Sequence, residues 1–327
     1  MNKRQLGRNG FEIGEVGLGC WQLGAEWGSP VARPVAHEIL STAAETGVTL
    51  FDTADVYGAG RSETLIGEFL QKSQLPVVVA TKFGRSAEVY PDNYTEKGLR
   101  DSVTGSLKRL RVETLDLIQL HCIPAEVMHD GKIFDWLRNL QRDGLIRHFG
   151  ASVESVEEAH VCLEQDGLLS LQVIFNLFRQ KLVDELFPRA KTRGVGIIAR
   201  VPLASGLLSG RFSADTRFPD TDHRNFNRDG NAFNVGETFA GLPFDKGVEL
   251  TERLKEYVPE GMSMAEMALR WILDHDAVSV VIPGASSPEQ ARANAASARR
   301  DPLPKELHDQ LGKLYRDEVH EHIRGPY

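Results

Sequence analysis

The sequence predicts an α/β fold, namely a (β/α)₈ barrel (a TIM barrel) in which a parallel sheet closes on itself. Short runs rich in β-branched and apolar residues recur along the chain, and such runs suit strands that are buried on both faces. Seven runs fit this description: residues 48–52, 77–81, 115–120, 148–152, 171–175, 196–200 and 278–282. Residues 16–19 form a weaker candidate for an eighth strand.

Helical patterns lie between these runs. Residues 62–70 and 155–163 each open with a serine, a typical helix cap, and residues 95–110 carry Lys and Arg near the end, where cations suit the helix dipole. Residues 133–145, 184–193 and 263–273 show the same spacing. Alternating strands and helices give right-handed parallel crossovers, and eight such strands close into a barrel. A doubly wound open sheet is the alternative, but no G-x-G-x-x-G motif opens a helix after a strand.

Two segments interrupt this alternation, within what we predict to be a single domain over residues 1–327. Residues 2–14 predict a β-hairpin with Asn9-Gly10 at its turn, placed to plug the N-terminal end of the barrel. Residues 209–245 are rich in Gly, Asp, Asn, Arg and Phe without periodicity, which indicates an inserted loop that acts as a lid or binding loop. Extra helices are expected after the last strand.

Composition excludes several classes of protein. Hydrophobic residues make up 41% and charged residues 26%, as in globular proteins with a large core. The net charge of -8 argues against a nucleic-acid or anionic-membrane binder. The three distant cysteines form neither a disulfide framework nor a zinc pattern, so we expect no metal site and a reducing cytoplasm. The first residues lack the apolar stretch of a signal peptide, and the longest apolar runs are strand-sized.

Reactive side chains follow four successive predicted strands. Asp52, Lys82, His121 and Ser152 each stand at or just after the end of a run, and Tyr57 lies in the glycine-rich loop after Asp52. Each residue taken alone has an ordinary structural explanation, such as helix capping or solvation. Because active sites of α/β barrels lie at the C-terminal ends of the strands, their joint occurrence predicts one site at the barrel rim.

This set of residues suits reduction of a carbonyl group. Hydride addition leaves negative charge on oxygen, which needs a proton, and a phenol with a pKa of about 10 gives one up reluctantly. The ammonium of Lys82 is expected to lower the pKa of Tyr57, Asp52 to keep Lys82 charged, and His121 to bind the substrate oxygen. A Schiff-base aldolase built on Lys82 is an alternative use of the same lysine.

The sequence resembles the aldo-keto reductase family, and the bacterial-type members most closely. The similar segments run in family order through nearly the whole chain: residues 17–21, 51–58, 81–84, 116–121, 149–152, 172–176, 202–210 and 282–290, with Asn294. The resemblance implies a (β/α)₈ barrel, a preference for NADP(H), and a catalytic tetrad that falls on Asp52, Tyr57, Lys82 and His121.

The resemblance also implies the residues that bind the cofactor. Ser152 and Gln172 would hold the nicotinamide carboxamide, and Trp21 is expected to face the substrate mouth. The remaining residues assigned to cofactor binding are Gly19, Arg200, Leu203, Ser205, Gly206, Gly284, Ser286, Gln290 and Asn294. Backbone amides at the start of the helix after Ser286 suit phosphate on physical grounds as well.

Three departures from the family pattern bear on the cofactor. Val153 stands where Asn is common, and Arg200 stands where a tyrosine often stacks on nicotinamide, which suggests an altered redox preference. Residues 285–287 lack the usual cation for the 2′-phosphate, although Arg292 is a possible substitute, so NAD(H) is possible besides NADP(H). We therefore expect an oxidoreductase acting on an aldehyde, a ketone or the corresponding alcohol. A cofactor-sensing regulatory subunit with little turnover is the alternative function.

Overall fold

Eight parallel strands form one sheet in chain order, preceded by an antiparallel hairpin. The computed structural model describes residues 1–24 and 31–327. The strands are β1 (Lys3–Gln5), β2 (Glu12–Gly14), β3 (Leu18–Gly19), β4 (Leu50–Asp52), β5 (Val78–Phe83), β6 (Leu115–His121), β7 (Ile146–Ser152), β8 (Leu168–Ile174), β9 (Gly196–Arg200) and β10 (Val278–Val281).

The two edges of the parallel sheet meet, so the sheet closes into a barrel. Parallel bridges join Val16 to Val281 and Gly19 to Gly284. The Gly17 amide donates to the Val281 carbonyl oxygen at 2.8 Å. The predicted (β/α)₈ fold is thereby confirmed, and the weak run at residues 16–19 is the strand next to the closure.

Helices follow the strands around the outside of the barrel. The α-helices are α1 (Trp21–Gly24), α2 (Arg33–Glu45), α3 (Arg61–Leu70), α4 (Glu96–Leu110), α5 (Ala125–Asp130), α6 (Lys132–Arg142), α7 (Val156–Leu163), α8 (Leu182–Glu185), α9 (Phe187–Arg193), α10 (His223–Phe226), α11 (Phe244–Lys255), α12 (Met264–Leu273), α13 (Pro288–Ala296) and α14 (Lys305–Leu314). Short 3₁₀ or π turns span Ala204–Ser209, Val235–Glu237, Phe239–Gly241, Ser297–Arg299, Tyr315–Val319 and His320–His322. None of the helices in the described part of the chain combines the length and apolar character needed to cross a bilayer.

Local side-chain chemistry explains several helix boundaries. Ser155 caps α7 through a reciprocal capping box with Glu158, as its sequence pattern predicts. The predicted serine cap of α3 is wrong. Helix α3 starts one residue earlier, behind a left-handed Gly60, and the Ser62 hydroxyl donates to the Cys20 carbonyl oxygen at 2.9 Å. The single helix predicted at residues 184–193 is instead two short helices, and Pro188 lies in the first turn of the second.

The hairpin packs against the N-terminal end of the barrel interior. Its buried side chains Leu6 and Ile13 join an apolar cluster of inward-facing strand residues: Leu50, Ala80, Leu117, Leu169, Ile198, Val280 and Ile282. Asn9 and Gly10 lie in its turn, which is longer than these two residues: the Leu6 amide donates to the Phe11 carbonyl oxygen at 2.8 Å, and residues 7–10 form the loop. The left-handed residue is Gly7, with φ of 68°, and a Cβ there would lie 2.5 Å from the Leu169 carbonyl oxygen.

The segment of residues 209–245 folds against the C-terminal rim instead of extending into solvent. Its aromatic side chains pack on one another, with ring centroids 5.2 Å apart for Phe212 and Phe218 and 5.0 Å apart for Phe239 and Phe244. Arg324, near the end of the chain, donates to the carbonyl oxygen of Gly241 at 3.0 Å. The tail therefore helps to hold this segment over the barrel mouth.

Candidate active site

Alternate residues of each strand face the barrel interior, and their polarity changes from the N-terminal to the C-terminal ends of the strands. The layer nearest the N-terminal ends is apolar and contacts the hairpin. One step nearer the C-terminal ends, Asp52, Lys82, Gln119 and Gln172 are all nearly inaccessible to solvent. Because the side-chain period of a strand is two, the same strands deliver apolar residues below and polar residues above. The barrel thus carries a buried polar layer under its mouth.

Lys82 is the centre of this layer. Its Nζ lies 2.6 Å from Asp52 Oδ2, 2.8 Å from the Thr53 carbonyl oxygen and 3.3 Å from the Tyr57 hydroxyl. The second Asp52 oxygen accepts hydrogen bonds from the amides of Gln119, at 3.1 Å, and Gln172, at 2.7 Å. The ammonium and the carboxylate are therefore each fully surrounded by partners, as buried charges require.

Electrostatics keep Lys82 charged and Tyr57 protonated. Burial disfavours the ammonium, but Asp52 and Tyr57 outweigh it, and the pKa of Lys82 is raised above its usual value. Burial raises the pKa of Tyr57 to about 12, although the charge of Lys82 opposes this rise. Lys82 thus lowers the pKa of Tyr57, as expected, but desolvation of the phenolate exceeds this attraction, so the net pKa lies above the usual value.

His121 stands beside Tyr57, with ring centroids 5.9 Å apart and the rings nearly perpendicular. Burial and the positive charges of Lys82, Arg85 and Arg200 hold the pKa of His121 well below its usual value. The ring is therefore neutral at physiological pH. Its Nδ1 is buried and has no hydrogen-bond partner among the described residues, so Nε2 is the nitrogen available at the mouth.

A charged cluster, of which the sequence analysis identified only Arg200, forms the wall next to His121. Arg200 hydrogen-bonds to Glu237, which comes from the inserted segment, and donates to the Val153 carbonyl oxygen at 3.1 Å. Arg85 pairs with Glu154 at 3.2 Å. Arg85 and Glu154 each follow a strand end by two residues, which is a signal that the sequence offers. Glu237 has no such signal, because it lies in a segment without periodicity.

Ser152 and Cys122 lie at the centre of this wall. The Ser152 hydroxyl is 3.5 Å from Cys122 Sγ, which is itself 3.6 Å from an Arg200 nitrogen. Possible metal-ligand atoms of Cys122, Glu154 and Glu237 lie within 4.8 Å of one another. Both carboxylates already pair with a guanidinium, and burial raises the pKa of Cys122 to about 12, so this cluster opposes rather than favours a divalent cation.

The loop after β9 is tied to the inserted segment. The Ser205 hydroxyl donates to the Glu237 carbonyl oxygen at 3.0 Å and accepts from the Phe239 amide at 3.2 Å. Leu203 precedes this 3₁₀ turn, and the Gly206 amide donates to its carbonyl oxygen at 2.9 Å. Arg200, Leu203, Ser205 and Gly206 thus belong to one continuous stretch at and after the end of β9, which is tied to the inserted segment.

The second group assigned to the cofactor lies at the start of α13, across the closure of the barrel. Gly19 pairs with Gly284, and a side chain at position 284 would overlap the Gln22 amide. Gln290 turns back and accepts from the Ser286 amide at 2.8 Å and from its hydroxyl at 3.0 Å. The Asn294 amide donates to the Gly284 carbonyl oxygen at 3.0 Å. These polar groups satisfy one another around the helix N-terminus.

Arg292 lies apart from this group. It lines a cavity of about 440 Å³ between α2 and α13, together with His37, Ser41 and Glu289. Two residues along a helix correspond to a rotation of about 200°, so Arg292 faces away from both Gln290 and Asn294. The structure therefore does not support its use as a substitute cation at the site that those two residues form.

Trp21 and His223 meet over the mouth, with ring centroids 4.6 Å apart. Trp21 comes from the short helix after β3, and His223 comes from the inserted segment. Burial lowers the pKa of His223 to about 4, so this ring is neutral as well. The inserted segment therefore contributes both an aromatic ring and, through Glu237, a carboxylate to the surroundings of the predicted tetrad.

Comparison with known proteins gives the family. The model of the Aldo/keto reductase family matches residues 15–316. The uncharacterized oxidoreductase YqkF of Bacillus subtilis is 31% identical over 307 residues, 92% of each chain. The glycerol dehydrogenase AKR11B4 from Gluconobacter oxydans is 28% identical and has a TM-score of 0.78 over 100% of this chain and 97% of its own. An aldo/keto reductase from Klebsiella pneumoniae in complex with NADP and acetate shares the fold, with 21% identity and a TM-score of 0.70 over 96% of each chain. The chain therefore belongs to the aldo/keto reductase family of oxidoreductases.

Proposed function

We propose that this protein transfers hydride between NADP(H) and an aldehyde or ketone, or the corresponding alcohol, with Tyr57 as the general acid. The observation that carries the proposal is the position of the Tyr57 hydroxyl, 3.3 Å from the buried ammonium of Lys82 and beside the neutral ring of His121. A phenol, a fixed positive charge and a neutral hydrogen-bond donor are the groups that an oxygen needs when it gains negative charge.

The residues divide the work as follows. Tyr57 is protonated at neutral pH, so it can donate to the substrate oxygen as charge develops there. Lys82 stabilises the phenolate that remains, and Asp52 holds the ammonium in place. His121 donates from Nε2 and orients the carbonyl. A bound nicotinamide would supply or accept the hydride. General acid catalysis of this kind contributes roughly 10²- to 10⁴-fold.

The rim residues fit a nicotinamide cofactor. The Arg200 Nε is buried and has no partner among the described residues, and the Ser152 hydroxyl lies 3.5 Å from Cys122 Sγ in the same wall. Gln172 uses its amide nitrogen on Asp52 and Gln119, which leaves its oxygen for the carboxamide. Gly206, Ser286 and the N-terminus of α13 would take the phosphates. We expect Gly19, Leu203, Ser205, Gly284, Gln290 and Asn294 to shape the same groove.

Two observations bear on the choice of cofactor and substrate. The Klebsiella relative binds NADP, which supports NADP(H), whereas no cation stands in residues 284–291 of this chain. NAD(H) therefore belongs in the same titration. The relative from Gluconobacter is a glycerol dehydrogenase, so small hydroxylated carbonyls and alcohols belong in the substrate panel.

The geometry disfavours a Schiff-base aldolase. That chemistry needs a neutral amine, whereas the ion pair with Asp52 raises the pKa of Lys82. A regulatory role with little turnover remains distinguishable by experiment, since it predicts tight cofactor binding without consumption.

The test is consumption of NADPH and NADH with a panel of aldehydes, ketones and sugars, measured for the native protein and for Tyr57→Phe. Tyr90→Phe serves as the matched control, because it removes an exposed phenol hydroxyl and keeps the ring that stacks on Arg85. We expect Tyr57→Phe to lose at least about 100-fold in kcat with cofactor affinity preserved, and Tyr90→Phe to match the native protein. Equal rates for the native protein and Tyr57→Phe would remove Tyr57 from the mechanism.

A further inference from the structure

Two buried carboxylates that the mechanism does not use lie behind the active site, between the barrel and helix α4. Asp55 belongs to the loop that connects Asp52 to Tyr57, and Glu63 belongs to α3. Glu63 bonds to Thr81 and Arg109, and Asp55 bonds to Ser102. These hydrogen bonds connect α4 with the two parts of the chain that carry Tyr57 and Lys82.

Glu63 is attached to the strand that carries Lys82. Its side chain is completely buried, and Oε1 accepts a hydrogen bond from the Thr81 hydroxyl at 2.5 Å. Thr81 immediately precedes Lys82 on β5. Successive strand residues point to opposite faces, so Thr81 faces outward to Glu63 while Lys82 faces inward to Tyr57. A displacement of Thr81 along the strand direction therefore displaces Lys82 as well.

The other Glu63 oxygen is held by α4. Oε2 accepts from Arg109 Nε at 2.6 Å. The chain leaves space for this arginine at two glycines. A Cβ at Gly60 would lie 2.5 Å from Arg109 Cδ, and one at Gly105 would lie 3.0 Å from an Arg109 terminal nitrogen. Gly60 also ends the Tyr57 loop, so any larger residue there would push Arg109 off Glu63 or shift the loop.

Asp55 attaches the Tyr57 loop to the same helix. Its Oδ2 accepts from the Ser102 hydroxyl at 3.0 Å, whereas its Oδ1 is buried without a hydrogen-bond partner in the described structure. Ser102 and Arg109 lie two turns apart on α4. One helix therefore holds the loop of Tyr57 at one point and, through Glu63 and Thr81, the strand of Lys82 at another.

We propose that Asp55 and Glu63 are positioning residues that fix the Tyr57 hydroxyl against the Lys82 ammonium by anchoring both segments to α4. The inference rests on the proposed function, since it concerns the same proton donor. A misplacement of about 1 Å in a reacting group costs on the order of 100-fold in rate. Residues that anchor these segments from outside the site can therefore change the rate.

Asp55 makes this anchor sensitive to pH. Burial, reinforced by the negative charge of Glu63, raises its pKa to about 6, while Ser102 and Arg109 oppose the rise. Glu63 and Arg109 are the charged side chains that act on it. As a carboxylate Asp55 is a strong acceptor for the Ser102 hydroxyl, and protonation near pH 6 weakens that bond. The loop anchor is therefore complete above pH 6 and is lost as the pH falls below it.

The experiment compares kcat, KM and cofactor Kd from pH 4.5 to pH 8 for the native protein, Asp55→Asn, Asp55→Ala, Ser102→Ala and Glu63→Gln. Asp101→Asn is the matched control, since Asp101 neighbours Ser102 on α4 but is exposed, and its ion pair among the described residues is with Lys97. Circular dichroism at the assay temperature confirms that each variant is folded.

We expect Asp55→Ala, Ser102→Ala and Glu63→Gln to lose about 10-fold or more in kcat at pH 7.5, with cofactor Kd within twofold of native. Asp55→Asn keeps an oxygen for Ser102, so it should retain most of the kcat and lose the limb near pH 6. Native rates in all three anchor variants would overturn the inference, and so would a limb near pH 6 that persists in Asp55→Asn.

Failure of the proposed function is separately visible. If Tyr57→Phe retains native turnover, the proton donor itself is misassigned. If Tyr57→Phe is inactive while the anchor variants behave like Asp101→Asn, the function stands and only the anchoring role falls.

Discussion

The buried carboxylate of Asp55 should cost the folded protein stability at neutral pH, and Asp55→Asn should remove that cost. The pKa of Asp55 is raised from 3.8 to about 6, so the folded state binds the proton more tightly than the unfolded chain does. Stability therefore falls as the pH rises through the window from about 4 to 6. A shift of about 2.2 units at 1.36 kcal/mol per unit gives about 3 kcal/mol over the whole window.

Between pH 4 and pH 7 the same two pKa values give about 2.4 kcal/mol. Asn has no charge to desolvate, so the stability of Asp55→Asn relative to native should rise by about that amount across this interval. Any cost of leaving its amide unpaired does not depend on pH and cancels in the comparison.

Urea denaturation at pH 4, 5, 6 and 7, followed together by tryptophan fluorescence and circular dichroism, measures this difference. Coincident transitions in the two signals show that a single free energy of unfolding applies. Asp101→Asn controls for the loss of one exposed carboxylate on the adjacent helix. A native-to-variant difference that stays constant from pH 4 to pH 7, or one that increasingly favours the native protein as the pH rises, would show that Asp55 has no raised pKa in the folded protein.

Three further predictions concern the rim and the hairpin. Glu237→Gln leaves the Arg200 guanidinium without its carboxylate, and its positive charge then repels the cationic ring of the oxidised cofactor. The Kd of the oxidised cofactor divided by that of the reduced cofactor should rise at least about fivefold in fluorescence titrations. An unchanged ratio would place Arg200 away from the ring. Ser286→Arg should improve NADPH binding relative to NADH binding by about 10-fold, because a charged hydrogen bond to phosphate is worth about 1.5 kcal/mol. Equal gains for both cofactors would contradict this placement of the 2′-phosphate. Gly7→Ala should destabilise the fold in urea by more than Gly131→Ala, since both glycines have positive φ but only a Cβ at Gly7 would meet backbone, at 2.5 Å; equal losses would show that strain alone matters.

The barrel was predictable because each strand has a recognisable local sequence pattern. Buried parallel strands require apolar side chains on both faces, and the observed strands lie within three residues of the predicted runs at either end. The closure was harder, since β3 has only two residues and its partner bridges are isolated ones. Helix ends were predictable where a side chain supplies the cap, as at Ser155, and were missed where backbone geometry does, as at Gly60.

The core of the site was predictable for a geometric reason. Parallel strands that end at one rim bring residues such as Asp52, Lys82 and His121 together, whatever their separation in sequence. The sign of the Tyr57 pKa shift was not predictable, because it depends on how much of the phenol is desolvated as well as on the ammonium beside it. The sequence indicates that Lys82 lies beside Tyr57, but it does not show how deeply the phenol is buried.

Contacts from the inserted segment lay beyond sequence reasoning. Glu237 and His223 reach the mouth from a stretch without periodicity, and their position depends on packing among phenylalanines and on the chain end near Arg324. Long loops acquire a defined path only from such tertiary contacts. The same holds for Asp55 and Glu63, whose spacing gives no sign that both bond to α4.

The proposed mechanism requires that the buried ammonium of Lys82 makes the phenol of Tyr57 an effective proton donor. Single-turnover oxidation of bound NADPH by a saturating aldehyde, followed by stopped-flow absorbance, tests it directly in Lys82→Met. Because that change strands the buried Asp52 carboxylate, Lys82→Met with Asp52→Asn is measured beside it. We expect a rate at least about 100-fold below native in both variants, with cofactor Kd preserved. A native single-turnover rate in either folded variant would contradict it.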